Sequence, residues 1–147
     1  MHSNSNLQTF ASAAQNCAMQ MMSNAAYIQT ELPSLRLPEG LSEQIATLCD
    51  SLIATKHDVI SEIFELSEVS ESSTTTAEIK MRVRRIIQWL WETIQEMNEV
   101  VQSLQTAAGA DPQFSISCLL VAESASNILN PFNRAAEAAD GLPQPQQ

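Results

Sequence analysis

The sequence predicts an all-α protein folded as an up-down-up-down antiparallel four-helix bundle. Four segments carry apolar residues at alternating steps of three and four, which is the spacing of one buried face on an α-helix. All three glycines and five of the six prolines lie in or beside the breaks between these segments. We find no segment with the alternating pattern of a strand, so the four helices should form the whole core.

The first helix is predicted over residues 6–32, and its inner face is rich in small side chains. Pro33 and Pro38 end it, because proline cannot donate a backbone hydrogen bond and disfavours helical angles in the residue before it. Its expected inner residues, with Ala11 and Ala18 beside them, are Leu7, Phe10, Ala14, Met21, Ala25, Ile28 and Leu32.

The second helix is predicted over residues 42–69 and is followed by a polar run of serine, glutamate and threonine. Its expected inner residues, starting just before the helix, are Leu41, Ile45, Leu48, Cys49, Leu52, Val59, Ile60, Ile63 and Leu66.

The third helix is predicted over residues 76–108 and has the clearest apolar face. It should begin with a capping box formed by Thr75 and Glu78, and end at Gly109. A helix of about 30 residues is roughly 45 Å long. Its expected inner residues are Ile79, Val83, Ile87, Leu90, Ile94, Met97, Val101, Leu104 and Ala108.

The fourth helix is predicted over residues 112–139, with Asp111 as its N-cap and a kink or break at 130–131 caused by the Asn-Pro pair. Its inner face should contain Phe114, Cys118, Val121, Ala125, Ile128 and Phe132. We expect residues 1–139 to form a single helical-bundle domain and residues 140–147 a disordered tail.

Short connections between long helices predict that successive helices are antiparallel. The same apolar faces would also suit an elongated helical hairpin that completes its core by oligomerisation. Charges support the pairing of the second and third helices. If the chain reverses tightly in the 70s, Glu62 lies near Arg85, Glu65 near Arg82 and Glu68 near Lys80.

Composition limits the classes of partner. With 17 acidic and 7 basic side chains the net charge is -10, which opposes binding to nucleic acid or anionic membranes unless the bases are concentrated. No apolar run approaches a membrane span, and no Sec-type signal is present. The three scattered cysteines are expected to be reduced, which favours a cytoplasmic location.

The sequence offers no catalytic constellation. His57 and Asp58 are adjacent, so on a helix they point about 100° apart and cannot orient each other as in a nucleophilic triad. There is no clustered Cys/His metal motif, no paired Glu-x-x-His motif and no glycine-rich phosphate loop. We therefore expect a non-enzymatic protein with no metal and no cofactor.

Four of the seven bases lie within six residues at the start of the third helix. Helical angles place Arg82, Arg85 and Trp89 on one outward flank, and Lys80 and Trp91 on the opposite flank. Because arginine and tryptophan dominate binding hot spots, Arg82, Arg85 and Trp89 are the predicted partner-binding residues. The alternative is that Arg82 and Arg85 pair with the second helix and that Trp89 is shielded.

Lys56 falls on the apolar arc of the second helix. Its stem is expected to pack while its amine reaches water. The alternative is a polar site inside the bundle. There Lys56 would lie near Met21, Met22 and Met97, and the site would hold an apolar or amphipathic small molecule.

The leading functional prediction is a protein that acts through protein-protein interaction, as an adaptor, regulatory or assembly subunit, binding another protein or itself. The first alternative is the small-molecule binder described above. A second alternative is an effector secreted by a non-Sec route. Residues 1–30 contain no charged side chain and are rich in serine, asparagine and glutamine, a composition similar to type III secretion leaders.

Overall fold

A computed structural model describes residues 2–70 and 76–142 of the chain. Its elements are α1 (His2–Glu31), α2 (Leu41–Ser70), α3 (Thr76–Ala110) and α4 (Ser115–Asp140), with single 3-10 turns at Leu32–Ser34 and Pro112–Phe114. The predicted capping box depends on Thr75, which lies outside the described residues.

The four helices pack around one core, and the predicted four-helix bundle is confirmed. Helix α1 packs against α2 and α4, and α3 packs against the same two helices, while α1 and α3 touch only slightly across the diagonal. All four helices contribute fully buried apolar side chains to this core, so the alternative of an elongated hairpin is wrong. The largest side chains that it buries include Phe10, Leu48, Leu90 and Ile128.

Three predicted helix ends are corrected by the structure. Helix α1 begins at His2, four residues before its predicted start. Helix α3 continues through Gly109 to Ala110, and the amide of Asp111 still bonds to the carbonyl of Ala107 at 2.8 Å. Glycine permits a helix to end but does not force it to. Asp111 caps the following 3-10 turn, since its carboxylate accepts from the amide of Gln113 at 3.1 Å.

Helix α4 continues through Asn130 and Pro131, so of the predicted kink or break the break is wrong and the kink stays a prediction. Proline removes one helical hydrogen bond, the one that its amide would make to the carbonyl of Asn127, and its ring crowds that carbonyl. The next turn of α4 is held by burial of Phe132 and Ala135 in the core.

The buried stripe of α3 is broader than predicted and turned toward α2. Ile86, Thr93 and Val100 are buried, whereas Ile79 and Ile87, expected at the centre, are only partly buried. The apolar spacing therefore identified the helix correctly but placed the middle of its inner face too close to α4.

Helices α2 and α3 are antiparallel in the predicted register. Moving along α2 from Ser51 to Glu62, the partner on α3 moves back from Glu96 to Arg82. Ser51 donates to Glu96 at 3.0 Å, and the Arg82 guanidinium lies 2.9 Å from the Glu62 carboxylate. Between these pairs Thr55 contacts Thr93.

The predicted disordered tail begins too early. Asp140 is the last residue of α4, and Leu142 is buried with 6% of its surface exposed. The side-chain amide of Asn6 on α1 also donates to the carbonyl of Gly141 at 2.8 Å. Residues 141 and 142 thus belong to the packed structure, while the rest of the predicted tail, 143–147, lies outside the described residues.

Across residues 2–70 and 76–142, none of the helices combines the length and apolar character needed to cross a bilayer.

Candidate functional site

Arg82, the first predicted partner-binding residue, lies in a cluster of three carboxylates. Its guanidinium is 2.9 Å from Glu62, 3.4 Å from Glu65 and 3.6 Å from Glu78. Loss of water contact alone would lower the pKa of Arg82, but the hydrogen bond and charge of Glu62, helped by Glu65 and Glu78, raise it above its ordinary value. Arg82 is therefore held as a cation against α2.

Arg85 shares one of these carboxylates. Its guanidinium lies 3.6 Å from Glu62, and 46% of its side chain is exposed. The predicted pairs Glu62–Arg85 and Glu65–Arg82 are both present. No ion pair between Glu68 and Lys80 is found within the described part of the chain.

Trp89 is only partly exposed and packs against the core. Its carbonyl accepts from the hydroxyl of Thr93 at 3.2 Å. Since the single hydroxyl proton of Thr93 is used in that bond, Thr55 donates to Thr93 across the α2–α3 interface. The flank that holds Arg82 and Trp89 thus faces α2, and Arg85 at its edge is the most accessible of the three.

The opposite flank of α3 borders a groove between α3 and α4. We call this the α3–α4 groove, and it is lined by Lys80, Val83, Arg84, Ile87, Ala136, Ala139 and Asp140. Its α4 side is formed by two alanines and one aspartate, and Val83 and Ile87 add apolar side chains from α3. Within the described ranges neither Lys80 nor Arg84 makes an ion pair, although Asp140 lies in the same groove.

An exposed aromatic residue stands beyond the groove on the same flank of α3. Trp91 is 42% exposed, and its ring stacks on that of Phe132 from α4, with centroids 5.5 Å apart. Phe132 itself is buried, so the pair fixes Trp91 in place while leaving part of its surface open. Four residues of α3 are spaced four, three and four positions apart and therefore lie on one side of the helix: Lys80, Arg84, Ile87 and Trp91.

Lys56, the predicted interior polar residue, is partly buried on α2. Within the described chain it makes no hydrogen bond or ion pair. Met21 and Met97 are fully buried in the core, and Met22 is partly buried. A small molecule held near these residues stays a prediction.

The described residues also bear on metal and thiol chemistry. No group of three or more His, Cys, Asp or Glu side chains among them is arranged to hold a metal ion. Burial raises the pKa of Cys17 to about 12, and burial with the nearby charge of Asp50 raises that of Cys49 to about 11. Both thiols therefore stay protonated at neutral pH, which disfavours a nucleophilic role.

The sequence prediction places Lys80 and Trp91 on a common flank without selecting them as binding residues, and it counts Arg84 in the basic cluster without assigning it to a flank. A signal for them was present. If Arg82 and Arg85 pair with Glu62 and Glu65 on α2, the flank that carries them must face α2. The other flank is then left to face α4 and solvent.

Comparisons with protein-family models, with curated proteins and with solved structures find no match to this chain.

Proposed function

We propose that this protein is a non-enzymatic helical bundle that acts by binding another protein, and that the α3–α4 groove, extended by Trp91, is the surface that it uses. The observation that carries the proposal is that Lys80 and Arg84, which make no ion pair with any described residue, lie on the same side of α3 as the exposed Trp91.

The charge of the whole protein makes these bases unusual. The net charge is -10, so carboxylates are abundant, and Arg82 alone contacts three of them. Lys80 and Arg84 instead share a groove with the apolar side chains of Val83 and Ile87, and neither makes an ion pair with a described residue. An apolar surface flanked by charges without ion pairs is typical of a binding surface, because the partner supplies the opposite charges.

Trp91 supplies the second property of such a surface. Tryptophan is enriched among the few residues that dominate binding energy. Because Trp91 is already stacked on Phe132, a partner would immobilise little side-chain freedom on contacting it. Arg85, Arg82 and Trp89 face α2 and are proposed to act mainly in holding the α2–α3 pair together.

A photo-crosslinking experiment tests this function. Trp91 is replaced by p-benzoylphenylalanine in the full chain, and the protein is irradiated in cells that produce it naturally. The control places the same residue at Tyr27, an aromatic position on α1 that is 52% exposed.

A discrete protein adduct from position 91, absent from position 27, is the expected result. Equal labelling from both positions, or no adduct from position 91, would contradict binding at the groove.

A further inference from the structure

Resting on the function proposed above, we infer that the partner presents an acidic amphipathic helix, which lies along the α3–α4 groove with carboxylates against Lys80 and Arg84 and an apolar side chain against Trp91.

The groove contains two bases, Lys80 and Arg84, and one carboxylate, Asp140, so its net charge of +1 favours an acidic ligand. Lys80 and Arg84 are four residues apart on α3, so their side chains start about 6 Å from each other on the same face. A helical partner with two carboxylates four residues apart would match this spacing. Covering the bases with a neutral or basic segment would remove water from them without replacing it, which is costly.

The backbone of the groove determines the conformation of the ligand. Both walls are α-helices, whose amides and carbonyls are already bonded within the helix, and neither offers a free edge to an extended peptide. A helix satisfies its own backbone groups and needs only side-chain contacts. The alanines on the α4 wall, Ala136 and Ala139, leave room for a helix to approach.

The length of the surface agrees with this conformation. From Lys80 to Trp91 the axis of α3 advances roughly 16 Å, which is three helical turns. A partner helix of three to four turns therefore reaches both the cationic end and the aromatic end. Its acidic residues and its apolar anchor would lie about two turns apart on one face.

The experiment uses three synthetic peptides of about 18 residues, roughly 27 Å as a helix. The first carries two glutamates four residues apart and a leucine two turns further on the same face. The second has glutamine in place of both glutamates, and the third keeps the glutamates but has a proline at its centre. Binding to the full chain is followed by the anisotropy of a dye on the peptide.

We expect the first peptide to bind at least about tenfold more tightly than either of the others, a difference of about 1.4 kcal/mol. Its affinity should fall as salt is raised, because the contacts are charged. The double variant Lys80→Gln/Arg84→Gln should lose this preference for glutamate. The control Arg36→Gln/Arg134→Gln removes the same charge at two exposed positions outside the groove and should keep it.

Equal binding of the glutamate and glutamine peptides would overturn the inference, as would equal binding of the proline peptide. Displacement of the bound peptide by phosphatidylserine vesicles, or a dimer of the protein that forms through Lys80 and Arg84, would assign the groove to a different occupant and also overturn it.

The crosslink from position 91 separates this inference from the proposed function. If the crosslink persists in the Lys80→Gln/Arg84→Gln background, the groove binds a protein without needing acidic residues. The proposed function then stands and the acidic helix does not.

Discussion

Asn24 on α1 donates a hydrogen bond of 2.6 Å from its side-chain amide to the backbone carbonyl of Ser124 on α4. Both residues are buried, with 4% and 3% of their surfaces exposed. The bond lies in an interface of small side chains, where the thiol of Cys17 also approaches the carbonyl of Ile128 at 3.8 Å. Direct side-chain to backbone bonds of this kind require two helices to pack closely.

Replacing Asn24 by alanine should lower the free energy of unfolding by about 1 to 2 kcal/mol, because a buried hydrogen bond is lost. The control is Gln29→Ala, an exposed position on the same helix, which should change it by less than about 0.5 kcal/mol. Urea unfolding followed by circular dichroism measures both. Equal effects would mean that the bond contributes nothing specific to the α1–α4 interface.

Leu142 provides a test of where the folded structure ends. Burial of its side chain beside the Asn6 contact to Gly141 implies that Leu142→Ala destabilises the protein by about 2 kcal/mol. A chain that stops at Asp140 should lose at least as much, since it also loses the Gly141 acceptor. Melting temperatures of the two variants and the full chain provide the comparison. An unchanged melting temperature of the shortened chain would support the tail boundary that was predicted from sequence.

Spacing and charge were sufficient to predict that α2 and α3 are antiparallel and in which register they pair, although not the centre of the buried face of α3. Bulky residues such as Leu48 and Leu90 carry a strong periodic signal, and the carboxylates and guanidiniums set the register. The α1–α4 interface uses Ala, Ser, Asn and Cys beside larger residues such as Phe10 and Ile128, and these small or polar side chains give a weaker periodic signal than leucine or isoleucine. How closely α1 and α4 approach depends on the side chains of both helices at once. The periodicity along one helix therefore does not predict this distance.

The candidate site was missed for a related reason. The periodicity of α3 defines two flanks, but which flank meets α2 depends on the direction in which the chain turns around the bundle. That direction is set by packing among all four helices. In the sequence, only the charge pairs of Glu62 and Glu65 with Arg82 and Arg85 indicated which flank meets α2. Combined with the helical angles, they place Lys80, Arg84 and Trp91 on the flank away from α2.

Glu62 should contribute more to stability than Glu65, although both contact Arg82. The side chain of Glu62 is 8% exposed and that of Glu65 is 59% exposed, so solvent screens the second pair far more. Glu62→Gln is therefore expected to lower the melting temperature clearly, and Glu65→Gln only slightly. Differential scanning calorimetry at low and high salt measures this. A larger fall in melting temperature for Glu65→Gln than for Glu62→Gln would show that burial does not determine how much each ion pair stabilises the protein.

The buried thiols predict a loss of stability in alkali. In the folded protein the pKa values of Cys17 and Cys49 are raised from 9.0 to about 12 and about 11. A group whose pKa is raised on folding binds its proton more tightly in the folded state. The stability linked to it is complete below pH 9 and is lost as pH rises through the folded pKa values.

Each of these thiols should reduce the free energy of unfolding by at most about 1.4 kcal/mol per pH unit in that window. The double variant Cys17→Ala/Cys49→Ala removes this contribution, so its stability should fall less steeply between pH 9 and pH 11. Alkylation of the native protein adds a second readout, with the partly exposed Cys118 labelled first. Identical pH slopes for variant and parent would contradict the thiol linkage.

The two tryptophans should respond oppositely to substitution. Trp89 packs against the core on the α2 side, so Trp89→Ala should cost about 3 kcal/mol of stability. Trp91 contributes mainly its stacking on Phe132, so Trp91→Ala should cost about 1 kcal/mol of stability.

Binding of the acidic peptide should show the reverse dependence on the two tryptophans. Trp91→Ala should lose peptide binding, whereas Trp89→Phe, which keeps an aromatic ring in the core, should retain it. If Trp89→Phe weakened peptide binding as much as Trp91→Ala, the binding surface would include the flank that faces α2, and the sequence-based choice of Arg82, Arg85 and Trp89 would regain support.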